Sequence, residues 1–461
     1  MIPLSLAEVA GAVGARLAGA DPHTRVSAGV EFDSRKIVPG GLFVAFQGST
    51  VDGHEFASGA VASGAVAVLG SRAVPGVPML VVPDTLAAMG RLARFVRDRL
   101  SDLTVVGVTG SSGKTTTKDL LAQVLAAAGP VVASAGSLNN ELGLPHTVLR
   151  ADVDTRFLVL EMGARGVGHI RYLCDIARPD VGVVVNVGVA HLGEFGSVDA
   201  IATAKAELVE ALPAHGAAVL NADDPKVRAM AARTAARVVL AGEASDARVR
   251  AMDVTLDDRG RASFTLVDGD GARAPVRLAV AGRHQVGNAL LAAGAALVSG
   301  LSLPDVAARL NDLRPVSSRR MDVFDRADGV TVIDDSYNAN PASAAAALRA
   351  LVAMGRGRRT LAVLGYLAEL GEYERAGHEE VGRLAAELGV DRLIVVGEPA
   401  APIHDGAAAV TRWGGKSVLV TDQGGAIELL HDELQPGDVV LVKGSRYRTW
   451  DVADALREEP T

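Results

Sequence analysis

Residues 104–128 constrain the fold more than any other stretch of the chain. Thr104-Val-Val-Gly-Val108 is an apolar β-run, Thr109-Gly-Ser-Ser-Gly113 is too glycine-rich to continue it, and Lys118–Ala128 restarts as a helix with Leu121, Val124, Leu125 and Ala128 on one face. The glycines let successive backbone N–H groups converge on an anion, and the helix N-terminus adds a favourable dipole. Lys114 would neutralise terminal phosphates, and the Thr115 hydroxyl would ligate Mg²⁺. Val108 stands where the strict G-x-x-x-x-G-K-[ST] pattern has its first glycine, but the compact form Gly110-x-x-Gly113-Lys114-Thr115 is intact. A nucleotide-phosphate site follows from this. A reaction does not, because kinases, ATPases, switches and ligases all use such a loop.

The same alternation of apolar strand and helix runs through most of the 461 residues. At about 150 residues per domain, that length suggests three units. The first, residues 1–102, carries strands at Gly41–Gln47 and Ala65–Gly70 and closes with a helix from Leu86 to about Leu100. The second, 103–314, carries strands at Thr104–Val108, Phe157–Glu161, Val181–Val187 and Ala217–Asn221. The third, 315–461, follows the Arg314–Pro315 break with strands at Val330–Asp334, Thr360–Gly365, Arg392–Gly397, Ser417–Thr421 and Asp438–Lys443. Continuous apolar strands between helices predict buried parallel sheets of α/β class: a small α/β N-terminal domain, a central P-loop ATPase-type sheet and a Rossmann-like C-terminal domain. Within Val254–Val280 the pattern reads as a β-hairpin with strand-like runs around Asp257–Gly260 and Asp268–Gly271.

A net charge of −8 argues against a general nucleic-acid binder, since no basic surplus meets a phosphate backbone. The longest apolar stretch, Ala289–Leu301, falls short of the roughly 18 residues a membrane span needs. The first residues, MIPLSLAEVAGAVGARL, lack a basic region and read as an ordinary helix rather than a signal peptide. The one cysteine, Cys174, reads as a small core residue. The expectation is a cytoplasmic, monomeric protein without stable membrane insertion.

Further segments give the loop its context. Asn139-Asn-Glu-Leu-Gly-Leu-Pro145, Glu161-Met-Gly-Ala, Asn186-Val-Gly-Val-Ala-His-Leu192, Ala204-Lys-Ala-Glu207 and Gly282-Arg-His-Gln-Val-Gly-Asn288 follow it in order. Together with Thr109-Gly-Ser-Ser-Gly-Lys-Thr-Thr they resemble the Mur ligase family. Asp33-Ser-Arg-Lys36, Pro39-Gly-Gly-Leu-Phe-Val44, Asp52-Gly-His54, Asp334-Asp-Ser-Tyr-Asn-Ala-Asn-Pro341, Ala368-Glu-Leu-Gly371 and Val442-Lys-Gly-Ser-Arg446 extend the resemblance over all three units. Within the family they point to the member that adds D-alanyl-D-alanine to UDP-N-acetylmuramoyl-tripeptide, a step of peptidoglycan precursor synthesis. The member that adds a single amino acid normally carries Asp-Asn-Pro-Arg in its third domain, which is absent here. A folylpolyglutamate-synthase-like enzyme would lack the Asp33-Ser-Arg segment, and a nucleotide switch would not need a substrate-facing loop in its third unit.

The resemblance implies an ATP-dependent ligase working through an acyl phosphate, with two Mg²⁺ ions. It places Thr109, Gly110, Ser111, Ser112, Gly113, Lys114, Thr115 and Thr116 on ATP, with Asn288 at the adenine, Asp335 at the ribose and Arg320 reaching over from the third unit. The Arg319–Arg320 doublet leaves that last assignment open by one position, and Gln285 replaces the family's asparagine beside His284. Thr115, Glu161, His191 and Lys205 are implied metal ligands, Lys205 as a CO₂-derived carbamate, and Lys114, Lys205 and His191 the catalytic set. From the residues alone, His191 reads as a satisfied loop histidine and Lys205 as a surface helix lysine. Ser34, Arg35, Asp52, His54, Asn139, Asn140, Tyr337, Asn338 and Asn340 are implied substrate contacts, the last three also compatible with a capped helix start before Pro341. Tyr366, where many relatives have an acid, and Tyr447–Trp450 depart from the family pattern beside the incoming-amine pocket.

Overall fold

Three large sheets, with a two-stranded ribbon of Leu4–Ser5 and Arg25–Val26 beside the first unit, organise the computed structural model, which describes residues 1–189 and 192–458. The largest has nine strands in the order 273–281, 261–267, 249–256, 237–242, 217–221, 181–184, 104–109, 157–161 and 131–133. Pairing is parallel from Val131–Ala133 through Val249–Leu256. The last two strands add antiparallel. Every residue of Phe157–Glu161 and Val181–Val184 is buried, which explains their unbroken apolar character: helices cover both faces. One face packs on Lys114–Leu125, Gln285–Val298 and Leu303–Asn311. The other packs on Val198–Glu210 and His169–Ala177, in a core continuous with that of the first unit.

Thr104–Thr109 lies between Phe157–Glu161 and Val181–Val184, so the chain leaves it for one side of the sheet and later returns to the other. The loop that follows therefore opens into the crevice at the strand carboxyl ends, where α/β sheets bind ligands.

The hairpin expected in Val254–Val280 is a three-stranded meander, Val249–Leu256, Arg261–Val267 and Arg273–Ala281. Asp257–Gly260 and Asp268–Gly271 are its turns, not its strands. Asp257 Oδ1 accepts from the N–H of Arg259 and Arg261, and Asp268 Oδ1 from those of Asp270 and Ala272. Gly260 and Gly271 take the positive φ that each turn then requires, 67° and 83°.

The first unit carries a five-stranded sheet ordered 16–18, 79–81, 67–70, 42–45 and 30–31, with the helix Thr85–Arg97 against the central unit. Arg94 and Arg97 reach across to the Asp175 and Ala177 carbonyls at 2.7 and 3.1 Å. The third unit carries six strands ordered 322–325, 331–334, 439–443, 360–364, 392–396 and 416–420, all parallel except the first. Among the described residues no helix is long and apolar enough to cross a membrane. Cys174 is buried against Met162, and burial pushes its thiol up to about 12.

Candidate active site between the central and third sheets

The glycine loop ends the central strand and hands over to the helix Lys114–Leu125. Its glycines are required by crowding. A Cβ on Gly110 would lie 2.8 Å from Val185 Cβ, and one on Gly113 would lie 2.6 Å from Asn288 Oδ1. Gly113 also has φ +76°, which an L side chain rarely adopts. The N–H groups of Ser111 and Ser112 both donate to Asn186 Oδ1, at 3.0 and 2.9 Å, so a side chain from the loop after Val181–Val184 holds the glycine loop in its cradle shape. Lys114 Nζ rests on the Gly110 carbonyl at 2.8 Å. Burial lowers its pKa, partly offset by the charge of Glu161. Thr109 is fully enclosed and donates to the Met162 carbonyl, so its hydroxyl braces the strand. Thr116 lines the cleft.

Glu161 is 1% exposed at the end of its strand. Its Oε2 accepts from the Thr115 hydroxyl at 2.8 Å and its Oε1 from the Asn139 amide at 2.7 Å. This buried oxygen pair beside a phosphate loop suits a hard divalent cation such as Mg²⁺. Asn139 is thus given to Glu161, and Asn140 Oδ1 accepts from the N–H of Gly143, just before the helix Gly143–Val148 gets under way, at 2.9 Å. Lys205 is 3% exposed on Val198–Glu210, not a surface lysine. Burial holds its amine well below the ordinary lysine value, and the charge of Lys114 adds to the effect. No hydrogen bond or ion pair reaches its Nζ among the described residues. His191 lies outside the described residues.

The third unit closes the cleft, a space of about 510 Å³. Arg320 Nη2 donates to Thr115 Oγ1 and Ser137 Oγ at 3.3 and 3.2 Å, and its guanidinium lies 4.2 Å from the centre of the Tyr337 ring. Arg319 turns away to Asp454 and the Trp450 carbonyl. The doublet is thereby resolved in geometry: Arg320 is the arginine at the phosphate loop. Asp335 Oδ2 accepts from buried Lys443 at 2.5 Å, and Lys443 also donates to the Asn338 carbonyl at 2.9 Å. Asn338 Oδ1 accepts from Ser445 at 2.6 Å. Asn340 lines the cleft but spends its side chain as the N-cap of Pro341–Met354, accepting from Ser343 N at 2.9 Å. Asn288, 6% exposed, accepts from Thr117 and donates to Gln285 Oε1 at 2.8 Å. The departure at Gln285 therefore fixes the Asn288 amide. Tyr366 donates to Glu374 at 2.7 Å and meets Tyr447 edge-on.

The remaining candidates sit in the first unit, outside this cleft. Arg35 is exposed and clamped by Asp33 through two bonds of 2.8 and 2.9 Å, with Ser34 beside it on the turn Ser34–Lys36. Those bonds hold the Asp33 carboxyl down at about 2. Asp52 binds Arg72 and His54. His54 is 3% exposed, with Nδ1 on Asp52 and Nε2 accepting from Ser71 N, so both ring nitrogens serve the loop and none faces a ligand. Asn186 and Lys443 are cleft residues that the motifs contain but to which they assign no role.

Comparison with known proteins matches this arrangement from end to end. Three family models fall on consecutive stretches: Mur ligase family, catalytic domain, on 27–97; Mur ligase middle domain on 108–296; and Mur ligase, glutamate ligase domain, on 319–446. The UDP-N-acetylmuramoyl-tripeptide–D-alanyl-D-alanine ligase of Mycobacterium tuberculosis (strain ATCC 25618 / H37Rv) is 50% identical over 100% of this chain and 99% of its own. That of Escherichia coli (strain K12) is 36% identical over 100% of both. The crystal structure of MurF from Acinetobacter baumannii superposes with a TM-score of 0.89 at 31% identity, covering 99% of each chain. That of MurF ligase from Thermotoga maritima in complex with ADP gives 0.81 at 31% identity, over 94% of this chain and 98% of that one. With half its residues shared with one such ligase, and a phosphate loop that faces a third-unit arginine across the cleft, the chain belongs to the Mur ligase family.

Proposed function

We propose that this enzyme joins D-alanyl-D-alanine to UDP-N-acetylmuramoyl-tripeptide at the expense of ATP, releasing ADP and phosphate. The observation that carries the reading is the cleft itself, where the phosphate loop, the Thr115–Glu161 pair and Arg320 converge from two domains. Full-length similarity to ligases of that name gives the substrates. The division of labour follows the three units: residues 1–102 for the UDP moiety, 103–314 for ATP, and 315–461 for the dipeptide and for closure.

A carboxylate is a poor electrophile, and phosphorylation of the tripeptide's terminal carboxylate gives it a leaving group. The dipeptide amine then attacks the acyl carbon and phosphate departs. The chain's work is charge neutralisation and alignment. Lys114 and Arg320 bring two cations to the phosphates, and the Ser111–Thr116 backbone cradles them. Thr115 and Glu161 would hold Mg²⁺, with Asn139 fixing the carboxylate; when bound, the ion neutralises charge on the β- and γ-phosphate oxygens. Lys205 suits carbamylation, because its buried amine has no counter-charge among the described residues, and the carbamate would give this wall a second carboxylate. Asn288 faces the adenine and Asp335 the ribose. Tyr337 and Asn338, on the loop before Pro341, face the substrates. Ser34 and Arg35 offer donors to the UDP pyrophosphate.

The test is phosphate release by the purified protein with ATP, Mg²⁺ and UDP-N-acetylmuramoyl-tripeptide, with and without D-alanyl-D-alanine. Release that needs both substrates, with the matching mass gain on the UDP-peptide, is the expected result. Release independent of the dipeptide, or dependent on another amine, overturns the named reaction.

A further inference from the structure

The linker into the third unit lies along the phosphate-loop helix. Thr115, Asp119 and Gln123 follow one another at i, i+4 and i+8 on Lys114–Leu125 and so share one face. Each touches a linker residue in reverse order. Gln123 exchanges two bonds with the Arg314 backbone, Nε2 donating to its carbonyl and Oε1 accepting from its N–H, both at 3.1 Å. Asp119 Oδ2 accepts from Ser317 Oγ at 2.6 Å. Thr115 Oγ1 accepts from Arg320 at 3.3 Å.

The middle rung is anchored on its far side. Lys118, 2% exposed, pairs with Asp119 Oδ1 at 2.7 Å and donates to the carbonyls of Ser134 and Gly136 at 2.6 and 3.3 Å. That loop continues to Ser137, the other partner of Arg320. The pair of buried Lys118 and half-buried Asp119 thus joins three segments: the phosphate helix, the loop 134–137 and the linker. A charge pair with every ammonium proton engaged holds one geometry, and losing one partner leaves the other uncompensated.

We propose that this three-rung zipper sets the position of Arg320, with Asp119, Ser317 and Gln123 as positioning residues that act through it. The proposal rests on the reading of Arg320 as the arginine that meets the nucleotide phosphates. Closure of the third unit then does not depend on the ligand alone. The helix that binds phosphate at its first turn also guides the linker, and the arginine arrives as the last rung.

Ser317 is the residue to change, because it lies on the linker and belongs to neither sheet. Ser317→Ala should lower kcat about tenfold to 100-fold, the scale of one lost hydrogen bond to a charged group, with KM for the UDP-tripeptide unchanged. In an Arg320→Met background the same substitution should cost less than about twofold, because the route runs through that arginine. Parental kcat in Ser317→Ala, or losses that multiply in the double variant, would overturn the proposal. A second measurement separates the two readings. Spin labels on one introduced surface cysteine in each of the central and third domains report their separation with ADP bound. Ser317→Ala should broaden that distance distribution. A broadened distribution alongside full activity of Arg320→Met would remove the nucleotide role of Arg320 and leave the zipper standing, and an unchanged distribution would remove the zipper.

Discussion

Thr115 and Glu161 meet across 2.8 Å, hydroxyl to carboxylate, where the phosphate helix begins and the neighbouring strand ends. Parallel register brings them there: Glu161 pairs with Val108, one residue before the glycine loop opens. Asn139 holds the second carboxylate oxygen at 2.7 Å, so the pair has a fixed orientation before any ion arrives.

That support predicts a graded response. Glu161→Gln should lower turnover by about 100-fold or more, since it removes charge at the developing phosphoryl transfer. Asn139→Ala should keep the carboxylate but raise the Mg²⁺ concentration for half-maximal rate by about 10- to 100-fold, as loss of an outer partner usually does. Mg²⁺ titrations of phosphate release read both. An Asn139→Ala enzyme with an unshifted Mg²⁺ requirement would show that its amide serves something else.

Lys205 yields a prediction of a different kind. Its amine is buried, unpaired among the described residues and pushed toward the neutral form. A neutral amine adds CO₂, so protein equilibrated with ¹³C-labelled bicarbonate should show one carbamate resonance that is missing in Lys205→Ala. That variant should also lose activity by about two orders of magnitude. Full activity after rigorous removal of CO₂ would exclude the carbamate.

How much of this was legible in the sequence depended on the range of the contacts. The glycine loop, Glu161 at a strand end and the helix after it are local features, and each lies where the pattern put it. Strands of two or three residues, such as Arg16–Ala18, Val30–Glu31 and Val131–Ala133, carry too few residues to show a period. The runs at Asp257 and Asp268 are turns because each aspartate accepts from two later N–H groups and each following glycine takes a positive φ, chemistry that a hydrophobic strand pattern does not register. Asn186 and Lys443 owe their places to partners 75 and 108 residues away, which no local window contains. The choice between Arg319 and Arg320 has the same origin: only packing against Trp450 and Asp454 tells one from the other.

The meander turn at Asp257 gives a pH prediction. Burial alone would raise this carboxyl, but Arg261, with its side chain and N–H, Arg277 and the Arg259 N–H outweigh it and hold it at about 2. The folded value is depressed, so the stabilisation is complete above the unfolded value of roughly 4 and is lost as pH falls toward 2. Asp257→Asn should therefore cost about 1–2 kcal/mol in urea denaturation at pH 7. The gap to the parent should narrow steadily below pH 4. A gap that stays constant down to pH 3 would show that the turn's stability does not come from the charge.

The last prediction concerns the other edge of the closed cleft. Gly193, in the central unit, donates its N–H to the Glu369 carbonyl of the third at 3.3 Å. Gly193 and Gly371 touch backbone to backbone. A Cβ on Gly193 would lie 2.6 Å from Gly371 N, and one on Gly371 would lie 2.3 Å from Gly193 Cα, with φ at Gly371 already +57°. Neither obstacle is a flexible side-chain end, so the domains themselves would have to part. Gly193→Ala should therefore leave each unit folded, with a melting temperature close to the parent's, because the nearest atoms the added methyl meets belong to the opposite domain. It should lower kcat by at least about tenfold with little change in KM for the UDP-tripeptide, since closure completes the site after that substrate has bound. The added methyl should also widen the label separation in the ADP-bound enzyme. Parental kcat in this variant would mean that the two loops need not touch during turnover, and that the arginine's approach to Thr115 tolerates a wider cleft.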